Sequence, residues 1–162
     1  MSALGRLVGT FFYIGYVPKA PGTAGSLGAL AIAWGLHAYT SSSGAVMALL
    51  GVLLIAPAIW AAGRVAQDSG KKDPQIVVID EVVGQWIALA GAAGLNWRGL
   101  IAAFLLFRLF DIWKPPPVRQ LEKIPGGAGI VLDDVMAGIY AALVLYAAGW
   151  FNSISVFLYG IA

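Results

Sequence analysis

Long apolar segments separated by short polar turns indicate an all-α, multi-helical integral membrane bundle. Residues 20–63 and 135–162 contain no charged side chain, and every charged residue except Arg6 and Lys19 lies between them. Because a helix needs about 20 apolar residues to cross the hydrocarbon core, the pattern predicts about four to five membrane helices plus short or re-entrant ones. The predicted helices cover approximately residues 26–39, 45–62, 82–95, 100–113 and 135–150, preceded by an amphipathic or re-entrant segment over 4–17.

Turn residues separate these segments. A serine-rich turn at 40–44 divides the first long apolar stretch, and residues 96–99 divide the third segment from the fourth. Three consecutive prolines at 115–117 end the fourth, since proline cannot continue a helix. No internal repeat and no change of composition divides the chain, so we expect residues 1–162 to form a single membrane-embedded domain.

Composition supports a membrane location and excludes several functions. The chain is 60% hydrophobic and 11% charged, with a mean hydropathy of +0.83, whereas soluble domains carry about 25% charged residues. The absence of cysteine excludes disulfides, thiolate zinc sites and a cysteine nucleophile. A net charge of +2 without a run of basic residues argues against a nucleic-acid partner.

The distribution of basic residues predicts an orientation. Cytoplasmic loops are enriched in Lys and Arg, and nearly all basic residues between the predicted helices fall on one side of the membrane, with Arg98 on the other. That side carries Lys19, Arg64, Lys71, Lys72, Lys114, Arg119 and Lys123. The acidic clusters are therefore expected at helix ends on the cytoplasmic side.

Five of the eight carboxylates fall in three clusters at the edges of apolar segments. The clusters are Asp80-Glu81, Asp111 and Asp133-Asp134. A charge near a bilayer costs several kcal/mol unless it is paired, bound to a metal or kept at the interface. Mg²⁺ prefers a few carboxylates together with phosphate oxygens, so the clusters indicate a metal-dependent site at the membrane surface.

Both adjacent acid pairs also have a purely structural interpretation. Asp80-Glu81 and Asp133-Asp134 are each predicted to begin an apolar helix, where acids cap the backbone and complement the helix dipole. The glycine-rich residues 126–129 are predicted to form a turn before the second pair. Amide groups in such a turn can bind an anion, although this segment lacks the Lys and Ser/Thr of a phosphate-binding P-loop.

Basic and hydroxyl side chains near the acids provide candidate phosphate ligands. Arg108 and Asp111 share a helix face, and Lys114 ends the same helix, so a local ion pair is the structural alternative to phosphate binding. The segment 18–27 contains Lys19, Thr23 and Ser26. We interpret it as a rigid turn with a hydroxyl cap, which also offers donors to a phosphate.

Four motifs in this order resemble the bacterial phosphatidylglycerophosphatase A family. They are PKAPGTAGSL at 18–27, VIDEVVGQWI at 78–87, FRLFDIWKPPP at 107–117 and GGAGIVLDDVMAG at 126–138. The similarity extends from about residue 9 to about residue 148. It implies a Mg²⁺-dependent enzyme of the bacterial inner membrane that hydrolyses the terminal phosphomonoester of the phospholipid phosphatidylglycerophosphate, by magnesium-activated water, to give phosphatidylglycerol.

The same resemblance assigns site residues, and on it we base the following expectations. The metal ligands are Asp80, Glu81, Asp111, Asp133 and Asp134, of which Asp80, Glu81, Asp111 and Asp134 are catalytic. The substrate ligands are Lys19, Thr23, Ser26, Arg108 and Lys114. Water is the preferred nucleophile, with an Asp that forms an aspartyl-phosphate as the alternative.

Two other functions remain compatible with the residues. A lipid head-group phosphotransferase also uses several acids around a metal, but usually over two turns of one helix. A cation-binding transporter or channel would place its acids deep in the bilayer and across a pore. The predicted position of the acids at helix ends on one side favours surface chemistry on a lipid.

Overall fold

The regular elements of the chain are helical throughout the part that the structure describes. The computed structural model covers the backbone of residues 3–159 and the side chains of residues 3–151. Its helices are α1 (Ala3–Gly9), α2 (Pro21–Thr40), α3 (Gly44–Ser69), α4 (Ile79–Ala88), α5 (Trp97–Trp113), α6 (Val118–Leu121) and α7 (Gly127–Tyr159). Short 3-10 turns lie at Ile14–Tyr16 and Leu89–Gly91. The predicted all-α class is confirmed.

Local sequence accounts for several helix ends. The Ser43 hydroxyl accepts a hydrogen bond from the Val46 amide at the start of α3, and the Asn96 side chain accepts one from the Gly99 amide at the start of α5. Such caps satisfy amides that have no partner within the helix. Lys114 ends α5 in the left-handed conformation, directly before the three prolines. Both ends of α5 therefore agree closely with the predicted fourth helix.

Helix α4 is the centre of the bundle rather than a membrane span. It has 10 residues, which corresponds to about 15 Å, roughly half the thickness of the hydrocarbon core. All its residues except Glu81 are buried, and it packs against α2, α3, α5 and α7. The predicted apolar segment 82–95 therefore contains most of a short helix, followed by a 3-10 turn. This helix differs from a spanning helix because neighbouring helices cover every face of it.

Glycines bring α4 and α7 into close contact. A methyl group at Gly84 would lie 2.6 Å from the Asp134 carbonyl oxygen and against the Phe107 ring. A methyl group at Gly138 would lie 3.1 Å from the Gly84 carbonyl carbon. The absence of a side chain at both positions allows the two backbones to approach.

The predicted turn at 126–129 was wrong. Helix α7 begins at Gly127, eight positions before the predicted start at 135, and Gly126 is the residue with a left-handed φ. A methyl group at Gly127 would lie 2.6 Å from the Gly63 amide of α3. Gly127 therefore serves helix packing, and Asp133 and Asp134 lie in the second turn of a helix rather than at its start. Anion binding by the amides of this segment stays a prediction.

Two helices are long and apolar enough to cross a membrane by length and composition. They are Gly44–Ser69, which is α3, and Gly127–Phe151 within α7. Large apolar side chains on the outward faces of the bundle are exposed, among them Leu53 at 65%, Leu105 at 60% and Leu143 at 59%. The count of four to five membrane helices stays a prediction.

Candidate active site

All three acidic clusters line one cavity. Its volume is about 590 Å³, within the range of roughly 300–1,000 Å³ typical of ligand sites. The cavity lies where the first turns of α2 and α4 meet the last turns of α5 and the first turns of α7. Loop residues 15–20 and 72–77 form much of its wall. Segments far apart in the sequence therefore converge on one polar site.

The closest carboxylates belong to Asp80, Glu81 and Asp134. One oxygen from each lies within 4.8 Å of the others. Asp80 Oδ1 and Glu81 Oε2 are buried and have no hydrogen-bond partner. Unpaired buried oxygens of this kind carry a large desolvation cost. The structure therefore brings the first and third acidic clusters together.

The charge around this group is strongly negative. Burial, followed by the neighbouring Glu81 carboxylate, raises the pKa of Asp80 well above its ordinary value. The cavity is lined by the carboxylates of Asp73, Asp80, Glu81, Asp111, Glu122, Asp133 and Asp134 and by the basic groups of Lys19, Lys72, Arg108 and Lys114. An excess of acids, close oxygen ligands and unpartnered buried oxygens fit a hard divalent cation such as Mg²⁺.

Arg108 joins the second predicted cluster to the first. Its Nη1 atom lies 2.8 Å from Asp111 Oδ2 and 3.8 Å from Glu81 Oε1. Asp111 therefore lines the same cavity, but its carboxylate is paired with Arg108 and lies outside the group of three. Because a guanidinium has five N–H donors, Arg108 retains donors for a phosphate while Asp111 holds it. A direct metal contact of Asp111 stays a prediction.

Lys114 is the second basic residue of the site that is held by an ion pair. Its Nζ atom donates to Asp133 Oδ2 at 2.7 Å and lies 3.3 Å from Glu122 Oε1. Burial acts to lower the pKa of Lys114, but the hydrogen bond and the charge of Asp133 outweigh it, so the net shift is upward. Lys114 is thus held in its charged form. Asp133 lines the cavity and pairs with this lysine, and its role as a metal ligand stays a prediction.

The segment 18–27 reaches the cavity in a different form from the one predicted. Helix α2 begins at Pro21 without a side-chain cap, so Thr23 and Ser26 are helical and the predicted hydroxyl cap was wrong. Proline fits this first helical position because it needs no amide partner there. Lys19 and Thr23 line the cavity. Ser26 is fully buried outside the cavity wall and donates to the Gly22 carbonyl.

Sequence reasoning missed several residues of the site. The absence of a side chain at Gly22 leaves space for the side chains of Glu81 and Arg108, because a methyl group there would lie 3.1 Å from Glu81 Cδ. Lys72, Asp73 and Glu122 line the cavity, although their polar surroundings in the sequence are typical of surface loops. Burial raises the pKa of Asp73, against the lowering effect of Lys114. The only indication in the sequence was Asp73, an acid that lies between Lys72 and Pro74.

One further buried polar residue lies one helical turn beyond Glu81. Gln85 is fully buried in α4, and neither atom of its side-chain amide has a hydrogen-bond partner. It does not line the cavity, and nothing in the described residues explains its unpartnered amide.

Comparison with known proteins identifies the family. The family model described as "Phosphatidylglycerophosphatase A" matches residues 7–149. The chain belongs to the phosphatidylglycerophosphatase A family. The resemblance of the four motifs is thus confirmed, and these motifs supply most of the cavity's charged side chains. No solved structure matches the chain.

Three relatives show how far the similarity extends. The phosphatidylglycerophosphatase A proteins of Escherichia coli and Haemophilus influenzae are 35% and 38% identical to it. These alignments cover 92% and 88% of this chain and 86% of each relative. A Bacteroides thetaiotaomicron protein described as a "Putative phosphatidylinositol-3-phosphatase" is 43% identical over 92% of this chain and 96% of its own length.

Proposed function

We propose that this protein hydrolyses the terminal phosphomonoester of phosphatidylglycerophosphate to phosphatidylglycerol and inorganic phosphate. The proposal rests on the carboxylates of Asp80, Glu81 and Asp134, which lie close together. Beside them are two basic side chains, Arg108 and Lys114, each positioned by an ion pair. Phosphoryl transfer depends mainly on positioning and charge neutralisation, which these side chains can provide. Family membership and the named activity of two relatives support the same substrate.

We assign Mg²⁺ to the group of three carboxylates. Asp80, Glu81 and Asp134 would hold it through one oxygen each, and the unpartnered oxygens of Asp80 and Glu81 would gain a partner. A divalent cation there supplies neutralisation of the phosphate charge and polarisation of the phosphoryl group. Its presence would also offset the excess of carboxylates around the cavity.

The protein side chains then position the reacting groups. Arg108, held by Asp111, binds phosphate oxygens through its remaining N–H donors, and Lys114, held by Asp133, places a second positive charge beside them. Water attacks phosphorus, its proton passes to a carboxylate of the cavity, and the bond from phosphorus to the glycerol oxygen breaks. The departing oxygen takes up a proton to give the free hydroxyl of phosphatidylglycerol.

We place this site at the cytoplasmic face of the bacterial inner membrane. Apolar outward faces on α3, α5 and α7 suit contact with lipid, and two helices are long enough to span. The cavity opens among loops that contain Lys19, Lys71 and Lys72, as the enrichment of basic residues in cytoplasmic loops predicts. A lipid head group could then enter the cavity while its acyl chains stay in the bilayer.

A second candidate substrate is phosphatidylinositol 3-phosphate. The Bacteroides relative whose printed description names this activity shares 43% identity with the chain. Both lipids carry a terminal phosphomonoester on a polyol that a phosphodiester joins to diacylglycerol. The proposed site chemistry is the same for both, so the choice between them depends on how the cavity accommodates glycerol or inositol.

Phosphate release by the purified protein in detergent tests these proposals. The substrates are phosphatidylglycerophosphate, phosphatidylinositol 3-phosphate and phosphatidate, each with Mg²⁺ and with EDTA. We expect the fastest release from phosphatidylglycerophosphate, with loss of activity in EDTA and recovery when Mg²⁺ is restored. The Asp134→Asn variant, checked for its melting temperature, is the inactive control.

The other outcomes are equally informative. Faster release from the inositol lipid would assign the second substrate. Full activity in EDTA would contradict the magnesium assignment. If the folded protein releases phosphate from none of the three lipids, the phosphatase proposal is wrong.

A further inference from the structure

Two basic side chains of the cavity form no close ion pair with a carboxylate, although the charge of Lys72 acts on the neighbouring Asp73. Arg108 and Lys114 are each paired with acids, whereas Lys19 and Lys72 form no ion pair among the described residues and are exposed. Both line the cavity that contains the acidic group. A cation that is not held in a close ion pair is available to a charged ligand.

Lys19 and Lys72 come from two loops that touch. A methyl group at Gly15 would lie 2.8 Å from the carbonyl carbon of Ile76, and the Val78 amide donates to the Gly9 carbonyl at 3.0 Å. These contacts hold the segment before α2 against the segment before α4. The two lysines therefore belong to the same loop wall of the cavity, whereas Arg108 and Lys114 belong to α5 and its C-terminal end.

The proposed substrate has a second anionic group, and the following inference rests on the proposed function. Besides the terminal phosphomonoester, the lipid carries a phosphodiester that joins its head group to diacylglycerol. That phosphodiester must lie in a cavity with more carboxylates than basic groups. Unless a cation accompanies it, repulsion from those carboxylates opposes binding.

We propose that Lys19 and Lys72 bind the phosphodiester and make the site selective for lipids that carry two phosphates. The paired cations Arg108 and Lys114 serve the phosphomonoester, and the unpaired lysines serve the second phosphate. Phosphatidate, whose only phosphate is the reacting one, gains nothing from these lysines. The inference holds for either polyol head group, because the phosphodiester is common to both lipids.

Separate probes for the two phosphates test the inference. Dihexanoyl phosphatidylglycerol has the phosphodiester but no phosphomonoester, and inorganic phosphate stands for the phosphomonoester. Calorimetry with the full-length protein in detergent and Mg²⁺ measures the Kd of each probe. For the double variant Lys19→Met/Lys72→Met, we expect Kd for the lipid to rise about tenfold, as two exposed charge contacts allow, and Kd for phosphate to stay unchanged.

Kinetics provide the second readout. For phosphatidylglycerophosphate, the double variant is expected to raise KM about tenfold with kcat within about twofold, because the lost contact is made equally before and during reaction. The double substitution Lys19→Arg/Lys72→Arg should restore binding by keeping the charge. Lys71→Met is the matched control, since Lys71 adjoins Lys72 but lies outside the cavity wall.

Each outcome decides the inference. An unchanged lipid Kd in the double variant would overturn it, and so would an equal rise for lipid and phosphate, which would show only general attraction of anions. A similar rise in Lys71→Met would have the same meaning. If the wild type hydrolyses none of the lipids, the proposed function fails separately, while the calorimetry still measures the phosphodiester contact.

Discussion

The two adjacent acid pairs of this chain look alike in sequence and are used differently in the fold. Asp80 and Glu81 lie in the first turn of α4, and both belong to the group of close carboxylates. In α7, Asp134 belongs to that group, whereas Asp133 forms an ion pair with Lys114. One pair therefore supplies two candidate metal ligands, and the other supplies one ligand and one anchor for a cation.

Helix geometry and glycine packing explain this difference. Successive residues of a helix point about 100° apart, so the two acids of α7 face different neighbours. Gly84 and Gly138 lie one turn beyond Asp80 and Asp134 respectively, and the close approach at these glycines brings the two acids together. Asp133 is left facing the end of α5, where Lys114 lies.

The largest effect is expected from the acids without a cationic partner. Asp80→Asn and Asp134→Asn should each reduce kcat/KM by about a thousandfold or more, because the groups that merely support metal ligands already contribute 10–100-fold. Binding of Mn²⁺ measured by electron paramagnetic resonance should weaken in parallel. The melting temperature without metal should hold or rise, since each change removes an unpaired buried charge. Near-normal activity in both variants would contradict the assigned metal site.

The glycine contact between α4 and α7 should have the next largest effect. Gly84→Ala places a methyl group against the Asp134 carbonyl and the Phe107 ring, and overpacking of this kind costs about 1–3 kcal/mol. Because a shift of 1 Å at a site can reduce the rate about a hundredfold, we expect a loss of that size together with a lower melting temperature. Gly35→Ala, where no atom lies within 4 Å of the added methyl, is the matched control. It should leave the rate unchanged and slightly raise the melting temperature, since alanine favours the helix interior.

The anchoring pair should show a smaller and non-additive effect. Asp133→Asn is expected to lower kcat/KM about tenfold, because Lys114 loses the partner that positions it. In Lys114→Met the lysine itself is lost, so adding Asp133→Asn to that variant should change little further. A double-mutant cycle of kcat/KM measures this coupling, and purely additive losses would argue that Asp133 acts independently, as a metal ligand would.

Glu122 should matter least, although it contacts the same lysine. Its side chain is 43% exposed and lies 3.3 Å from Lys114 Nζ, and exposed ion pairs contribute little. Glu122→Gln should therefore change kcat/KM by about twofold at most. A loss as large as that of Asp133→Asn would show that both acids are needed to hold Lys114.

Some parts of the molecule could be predicted from the sequence alone. The helix at 100–113 was predicted within three residues of its observed start, because Asn96 and the three prolines are strong local signals. The all-α class followed from long apolar segments that suit membrane helices and from the resemblance of the four motifs. The acids could be recognised as a site because charge is costly near apolar helices, and the four motifs together indicated the family.

Other features depended on contacts between distant segments. Residues 126–129 look like a turn, yet α7 begins at Gly127, where it packs closely against Gly63 of α3. Residues 82–95 were predicted to form a membrane helix, whereas the structure has the 10-residue helix α4 at Ile79–Ala88, enclosed by its neighbours.

Within the site, the sequence determined which acids and bases are present and which of them share a helix. Only the tertiary structure decided that Asp134 meets Asp80 while Asp133 meets Lys114, and that Lys72 and Glu122 reach the cavity. Pairing of side chains depends on how helices cross, and that crossing follows from the contact between Gly84 and Gly138, which are far apart in the sequence.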